Sequence, residues 1–400
     1  MKQCCLAVLA LALVTPTLVG ADFASDLPAK TERVWIGPEF WANRLQDWRL
    51  HEGRIECTEG GANRPYRTLH LLTHRLADKQ GTLEESVRLG LSEPGQTVSP
   101  QAAGGFLLGA GSADLDYRAA ALVHHAAGPG AGIFAGVTSQ GQAFFLDREK
   151  LKEDKIEGKQ PAQAGPIKDA TLALSARPAK EDAYALELTV RDRAGKVLSS
   201  AEWTVPAKRL VGNLALVSHP GAGKETGRWW FRDWKVAGSK LDVDDARLAG
   251  PILCTQYTTS RGVLKLTAQL MPIGPADTQT ARLEIMKEGK WTAIATAKVI
   301  APAFTATFRV PDWDMKKDVP YRVVYDLVRA GGKSRPYEWT GTIRKDPQAK
   351  ETIVVAGFTG NHNTRGGVDT KQFDWSPKAM WFPHNDVVKH VKAHQPDVLF

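Results

Sequence analysis

The stretch Tyr184-Ala185-Leu186-Glu187-Leu188-Thr189-Val190-Arg191 places Tyr184, Leu186, Leu188 and Val190 on one side. Glu187, Thr189 and Arg191 fall on the other. A period of two is the mark of a strand with one buried face. Around it lie more short runs rich in glycine, aromatic and β-branched residues, at 105–109, 132–138, 143–147, 170–176, 197–205, 213–218 and 228–236. Many short strands at this spacing, with turn residues between them, predict a β-sandwich or barrel over residues 33–241. One helix is expected at 115–125. The charged, Pro- and Gly-containing stretch 151–168 reads as a long loop.

A second all-β unit is expected over 251–345, after the polar linker 242–250. Phe304, Ala306, Phe308 and Val310 alternate with Thr305, Thr307 and Arg309. Tyr321, Val323, Tyr325 and Leu327 alternate with Arg322, Val324 and Asp326. A unit of this size with such strands fits an immunoglobulin-like or fibronectin-III-like sandwich. Past the Pro-containing boundary 345–350 the pattern changes. Residues 352–356 read as a strand, 357–367 as a polar loop, 385–394 as a helix and 397–400 as a second strand. That β-α-β order predicts the start of a parallel sheet and a third unit over 351–400.

The 400 residues correspond to about two to three domains. Residues 1–21 have the form of a secretory leader: Lys2, an apolar run from Leu6 to Val14, and Val19-Gly20-Ala21 as a small-residue cleavage site. Export to the periplasm or medium is expected, with cleavage after Ala21. No later segment resembles a transmembrane helix. Two cysteines then remain, Cys57 and Cys254, and both are expected as buried free thiols. The net charge of +8 comes from lysines scattered through loops, with no aromatic-interleaved basic patch, so a nucleic-acid partner is not expected.

Candidate chemistry lies where the parallel strands end. Asn361, His362 and Asn363 follow the strand at 352–356. Ligands of open α/β sheets sit beyond such carboxyl ends. Imidazole and amide oxygens there suit a divalent metal, and equally suit a polar loop bonding to its own backbone. His390 and His394 share a helix face, but no glutamate completes an H-E-x-x-H site, so they are expected to be solvent-exposed. Gly221-Ala222-Gly223-Lys224-Glu225 lacks the first glycine and the final Ser/Thr of a phosphate loop. Asp242, Asp244 and Asp245 read as a solvated linker. The chain has 12 tryptophans, most of them expected in cores.

Two resemblances add to this. Gly132-Ile133-Phe134-Ala135-Gly136-Val137, Gly212-Asn213-Leu214-Ala215-Leu216-Val217 and Trp230-Phe231-Arg232-Asp233-Trp234-Lys235-Val236 resemble the concanavalin-like (laminin-G-like) jelly-roll domains of secreted bacterial proteins. That likeness implies a possible glycan partner. The immunoglobulin-like unit, the β-α-β start and His394-Gln395-Pro396-Asp397-Val398-Leu399-Phe400 resemble secreted phosphatases of the alkaline phosphatase D (PhoD-like) family. These are calcineurin-like metallophosphoesterases, which carry a dinuclear metal site and hydrolyse phosphate esters. The family's first strand ends in Asp-x-His or a metal-binding cysteine. This sequence has neither there: either Asn361 or His362 substitutes as a ligand, or the site is altered, and the resemblance makes Asn361 and His362 the expected metal ligands. Fe, Mn, Zn and Ca are the candidate divalent or trivalent ions. The resemblance also implies a Gly-Asp pair following Phe400, so this chain is expected to be the N-terminal part of the enzyme and inactive alone. The rival reading is an extracellular carbohydrate- or surface-binding β protein without catalysis.

Overall fold

The computed structural model describes residues 23–61, 66–92, 98–123, 127–150, 167–222, 227–360 and 384–400. The chain is mainly β. The leader expected at 1–21 lies outside the described residues.

The deciding strand is Ala183–Asp192. Tyr184, Leu186, Leu188 and Val190 are buried in it, as the alternation requires. It pairs antiparallel with Ala170–Ala179 and Val197–Pro206. These begin an eight-stranded antiparallel sheet that continues through Leu83–Leu91, Trp229–Ala237, Arg54–Cys57 and Trp48–His51. Phe23–Ala24 adds to Trp229–Ala237, so the sheet takes in residues ahead of the boundary expected at 33. A second, seven-stranded sheet runs Leu241–Val243, Arg67–Leu76, Gly212–His219, Ala103–Ala110, Ile133–Thr138 and Ala143–Asp147, with Phe40–Ala42 beside Arg67–Leu76. Val87, Leu89 and Leu188 from one sheet share a core with Phe106, Leu108, Leu214 and Leu216 from the other. The two sheets therefore form a face-to-face sandwich.

The central strands of the seven-stranded sheet are buried at every residue. They show no alternation because their outer face is covered too. Tyr66, Leu107, Phe134, Ala215 and Val217 cluster on it, and the helix Tyr117–Val123 packs over Arg67–Leu76 and Gly212–His219. Both ladders of Gly212–His219 slip register between Asn213 and Leu214. Gly212 (φ 124°) sits at that bulge, and a Cβ on it would lie 2.6 Å from Ala110 O, so only glycine fits.

The second unit is one antiparallel sheet in the order Ile252–Ser260, Val263–Leu270, Thr305–Val310, Lys290–Ile300, Thr280–Lys287, Val319–Val328, Ser334–Ile343. Leu266, Ala268 and Phe308 from one half meet Leu283, Val323 and Tyr325 from the other in one core, so the sheet folds onto itself as a sandwich. Trp35 also belongs to this core, although it lies far upstream in the chain. Cys254 is exposed rather than buried. A register shift between Ile252 and Cys254 on this edge strand turns it outward. Cys57 is buried and free as expected.

The last unit joins Val355–Ala356 to Val398–Leu399 in parallel, with the helix Asn385–Ala393 between them. The expected strand-helix-strand order is present, with strands shorter than 352–356 and 397–400. His384 (φ −77°, ψ 49°) occupies the N-cap position of that helix and makes no side-chain cap bond. His390 and His394 are exposed.

Candidate functional site

Buried polar side chains gather on the outer face of the seven-stranded sheet. Leu69 and Leu71 point into the sandwich core, so Thr68 and His70 face the other way along the strand. Asn213 stands on the next strand, at the bulge. Arg148 follows the edge strand Ala143–Asp147. All four are buried, as are Tyr66 and His219. The Arg148 guanidinium lies 3.6 Å from the centre of the Tyr66 ring. The Tyr66 and His219 rings meet edge to face at 4.8 Å.

Hydrogen bonding fixes the tautomer of His70. Asn213 Nδ2 donates to Tyr117 O at 2.8 Å, which orients the amide. The same Nδ2 lies 3.3 Å from His70 Nδ1. Nδ1 therefore accepts, and the ring proton sits on Nε2. Burial, and then the neighbouring Arg148 charge, push the imidazole pKa down to about 3. His70 is thus a neutral donor across the ordinary pH range. Its Nε2, Asn213 Oδ1 and Thr68 Oγ1 have no hydrogen-bond partner among the described residues. Ordered water is the usual partner of such buried polar atoms. In this conformation every member is closed to solvent.

Sequence reasoning missed this cluster. The strand Arg67–Leu76 falls outside the short runs read above. Its signal was His70 set between Leu69 and Leu71, but nothing local joins it to Arg148 or Asn213.

A carboxyl group stands apart in the sandwich core. Trp234 Nε1 donates to Glu85 Oε1 at 2.8 Å, and Glu85 is 1% exposed. Burial pushes its pKa up to about 8. The Cys57 thiol is likewise pushed up by burial, to about 11, which makes it a poor nucleophile.

The expected metal ligands, Asn361 and His362, lie outside the described residues. The strand leading to them is described: Phe358 N–H donates to Phe400 O at 2.7 Å, and Phe400 N–H to Ala356 O at 3.1 Å. The loop thus leaves from the carboxyl end of a parallel pair. No group of three or more His, Cys, Asp and Glu side chains among the described residues could hold a metal ion. Among the tryptophans, Trp35, Trp48, Trp229 and Trp234 are fully buried in cores.

No protein-family model and no curated protein sequence matches the chain. Solved structures similar to it include a seed lectin isoform of Lotus tetragonolobus (11% identity, 48% of this chain and 89% of that chain, TM-score 0.31). A lectin from Bauhinia forficata in complex with GalNAc gives 9% identity over 54% of this chain and 98% of that chain, TM-score 0.34. An alginate lyase, Aly36B, in a mutant complex with alginate trisaccharide gives 10% identity over 53% of this chain and 97% of that chain, TM-score 0.33.

Proposed function

We propose that the protein is an exported, metal-dependent phosphoric ester hydrolase of the alkaline phosphatase D type. In this reading a concanavalin-like jelly roll and an immunoglobulin- or fibronectin-III-like sandwich precede the start of a calcineurin-like α/β domain. The observation that supports it is the parallel pairing of Val355–Ala356 with Val398–Leu399 across a helix, at the end of two antiparallel units. Asn361 and His362 follow the first strand of that pair in the sequence, and α/β folds hold their ligands beyond carboxyl strand ends. Asn361 and His362 are proposed as ligands to Fe, Mn, Zn or Ca. A bound metal would activate water and polarise the phosphoryl oxygen. No helix among the described residues is long and apolar enough to cross a membrane, and we place the protein in the periplasm or the medium after cleavage at Ala21.

The test uses the full-length natural gene product, stripped with chelator and reloaded with each ion in turn. The expected result is metal-dependent release of nitrophenol from p-nitrophenyl phosphate or its diester, lost in Asn361→Ala/His362→Ala. No turnover with any of the ions would overturn the reading.

A further inference from the structure

The stretch between the second sandwich and the α/β unit is fastened at every step. Arg344 N–H donates to Tyr257 Oη at 3.0 Å, and Lys345 N–H to Asp318 Oδ1 at 2.7 Å. Asp346 N–H donates to Met315 O at 2.8 Å. Tyr257, Met315 and Asp318 all belong to the second sandwich. The expected boundary at 345–350 is therefore sewn to that sandwich rather than left as a free tether.

From there the fastening passes to one carboxylate. Lys350 Nζ donates to Asp397 Oδ1 at 2.6 Å, and Arg344 Nη2 approaches the same oxygen at 3.5 Å. Asp397 Oδ2 accepts from Val354 N–H at 3.1 Å, while Asp397 N–H donates to Val354 O at 2.8 Å. Arg344 Nη1 also donates to Pro396 O at 2.7 Å. The Asp397 side chain is 2% exposed, although its two cationic partners are about half exposed. Asp397 thus touches both parallel strands at their amino ends and the fastened connector at once. The connector, and through Arg344 the second sandwich, therefore meets the parallel pair at its amino ends.

We propose that Asp397 is the positioning residue that fixes the α/β unit on the second sandwich. The inference rests on the phosphoesterase reading for what the unit does, but not for how it is held. Domains joined by small polar interfaces move relative to one another by default. Here a single carboxylate with backbone and ionic partners removes that freedom.

The test is hydrogen exchange followed by mass spectrometry on the 400-residue protein. Asp397→Asn is expected to speed exchange at 352–358 at least tenfold and to leave 263–270 unchanged. Arg282→Ala, which breaks an ion pair with Asp326 on the same sandwich, is expected to leave exchange at 352–358 unchanged. Should Asp397→Asn fail to fold, Lys350→Ala and a salt series from 50 to 500 mM on the native protein probe the same joint, since screening weakens exposed ion pairs. Native-like exchange at 352–358 in a folded Asp397→Asn, or in both substitute measurements, overturns the proposal. In the full-length natural gene product the variant is expected to lower kcat with little change in KM. An unchanged kcat in a loosened unit would overturn the positioning role. Absence of any activity would count against the phosphoesterase reading alone.

Discussion

Arg33 and Asp277, 244 residues apart, form an ion pair with Nη1 2.7 Å from Oδ1 and both side chains almost wholly buried. Arg33 is bridged to Leu50 of the first sandwich, while Asp277 precedes the strand Thr280–Lys287 of the second. The remaining guanidinium donors reach Trp35 O and Ile36 O, and Asp277 Oδ2 accepts from Gly274 N–H. A parallel joint lies nearby: Arg329 binds both oxygens of Glu39 and also Asp26. Two all-β units that the sequence separates at 242–250 are therefore held by buried charge.

Removing one member of the Arg33–Asp277 pair leaves the other charge buried without its counter-ion. Arg33→Ala or Asp277→Ala is expected to cost about 3–5 kcal/mol. The double change Arg33→Met/Asp277→Leu should recover most of that loss, because no uncompensated charge remains. Urea denaturation of the three variants checks this. Equal losses in the single and double variants would show that packing, not charge, holds the joint.

Trp35 makes the same connection with apolar surface. It is fully buried among Leu270, Met271, Tyr325 and their neighbours in the second core. Trp35→Ala is expected to destabilise by about 3–5 kcal/mol through the cavity it leaves. The loss should appear as faster exchange at Leu266 and Val323, and much less at Leu188 and Leu216 of the first core. Uniform acceleration in both sandwiches would contradict this placement.

These joints mark where sequence reading stops. The alternations at 184–190, 304–310 and 321–327 were legible because one face of each strand meets a core and the other meets water. The strand Gly212–His219 shows no such pattern, being buried on both faces, and only its glycine and apolar content marked it. The β-α-β order was legible from the change of period after residue 350. Trp35 could not be assigned to the second core, because that depends on a contact spanning most of the chain. The outward turn of Cys254 follows from a bulge that no residue type announces. The cluster of His70, Asn213 and Arg148 comes from two strands and the turn after a third, all far apart in the chain, so no local spacing reveals it.

Glu85 predicts how stability responds to alkali. Its folded pKa is raised to about 8, against about 4.3 in an unfolded chain. The folded state therefore holds a proton that the unfolded state has released. Its stabilising effect is fully present below about pH 4.3 and is lost as pH rises toward 8, with a total on the order of a few kcal/mol. Glu85→Gln keeps the acceptor for Trp234 Nε1 and cannot ionise. Urea midpoints at pH 5.5 and 8.5 should differ less in this variant than in the native protein. An equal difference would mean that Glu85 does not hold its proton.

His70 predicts the opposite limb. Its folded pKa is lowered to about 3, against about 6.5 unfolded. Here the unfolded state binds the proton first. The stability is present above about pH 6.5 and is lost as pH falls toward 3, at about 1.4 kcal/mol for each unit in that window. His70→Gln removes this titration while offering an amide to Asn213. Comparing urea midpoints at pH 7.5 and 4.5, the native protein should lose more stability than the variant. Carboxylates elsewhere contribute equally to both proteins, so the difference between them isolates the imidazole. If the two lose the same amount, His70 accepts a proton within the folded protein and the Nε2–H donor assigned to it is wrong. If the variant loses less, the neutral donor stands. It then stands as a fixed polar point beside Asn213, beneath the helix Tyr117–Val123.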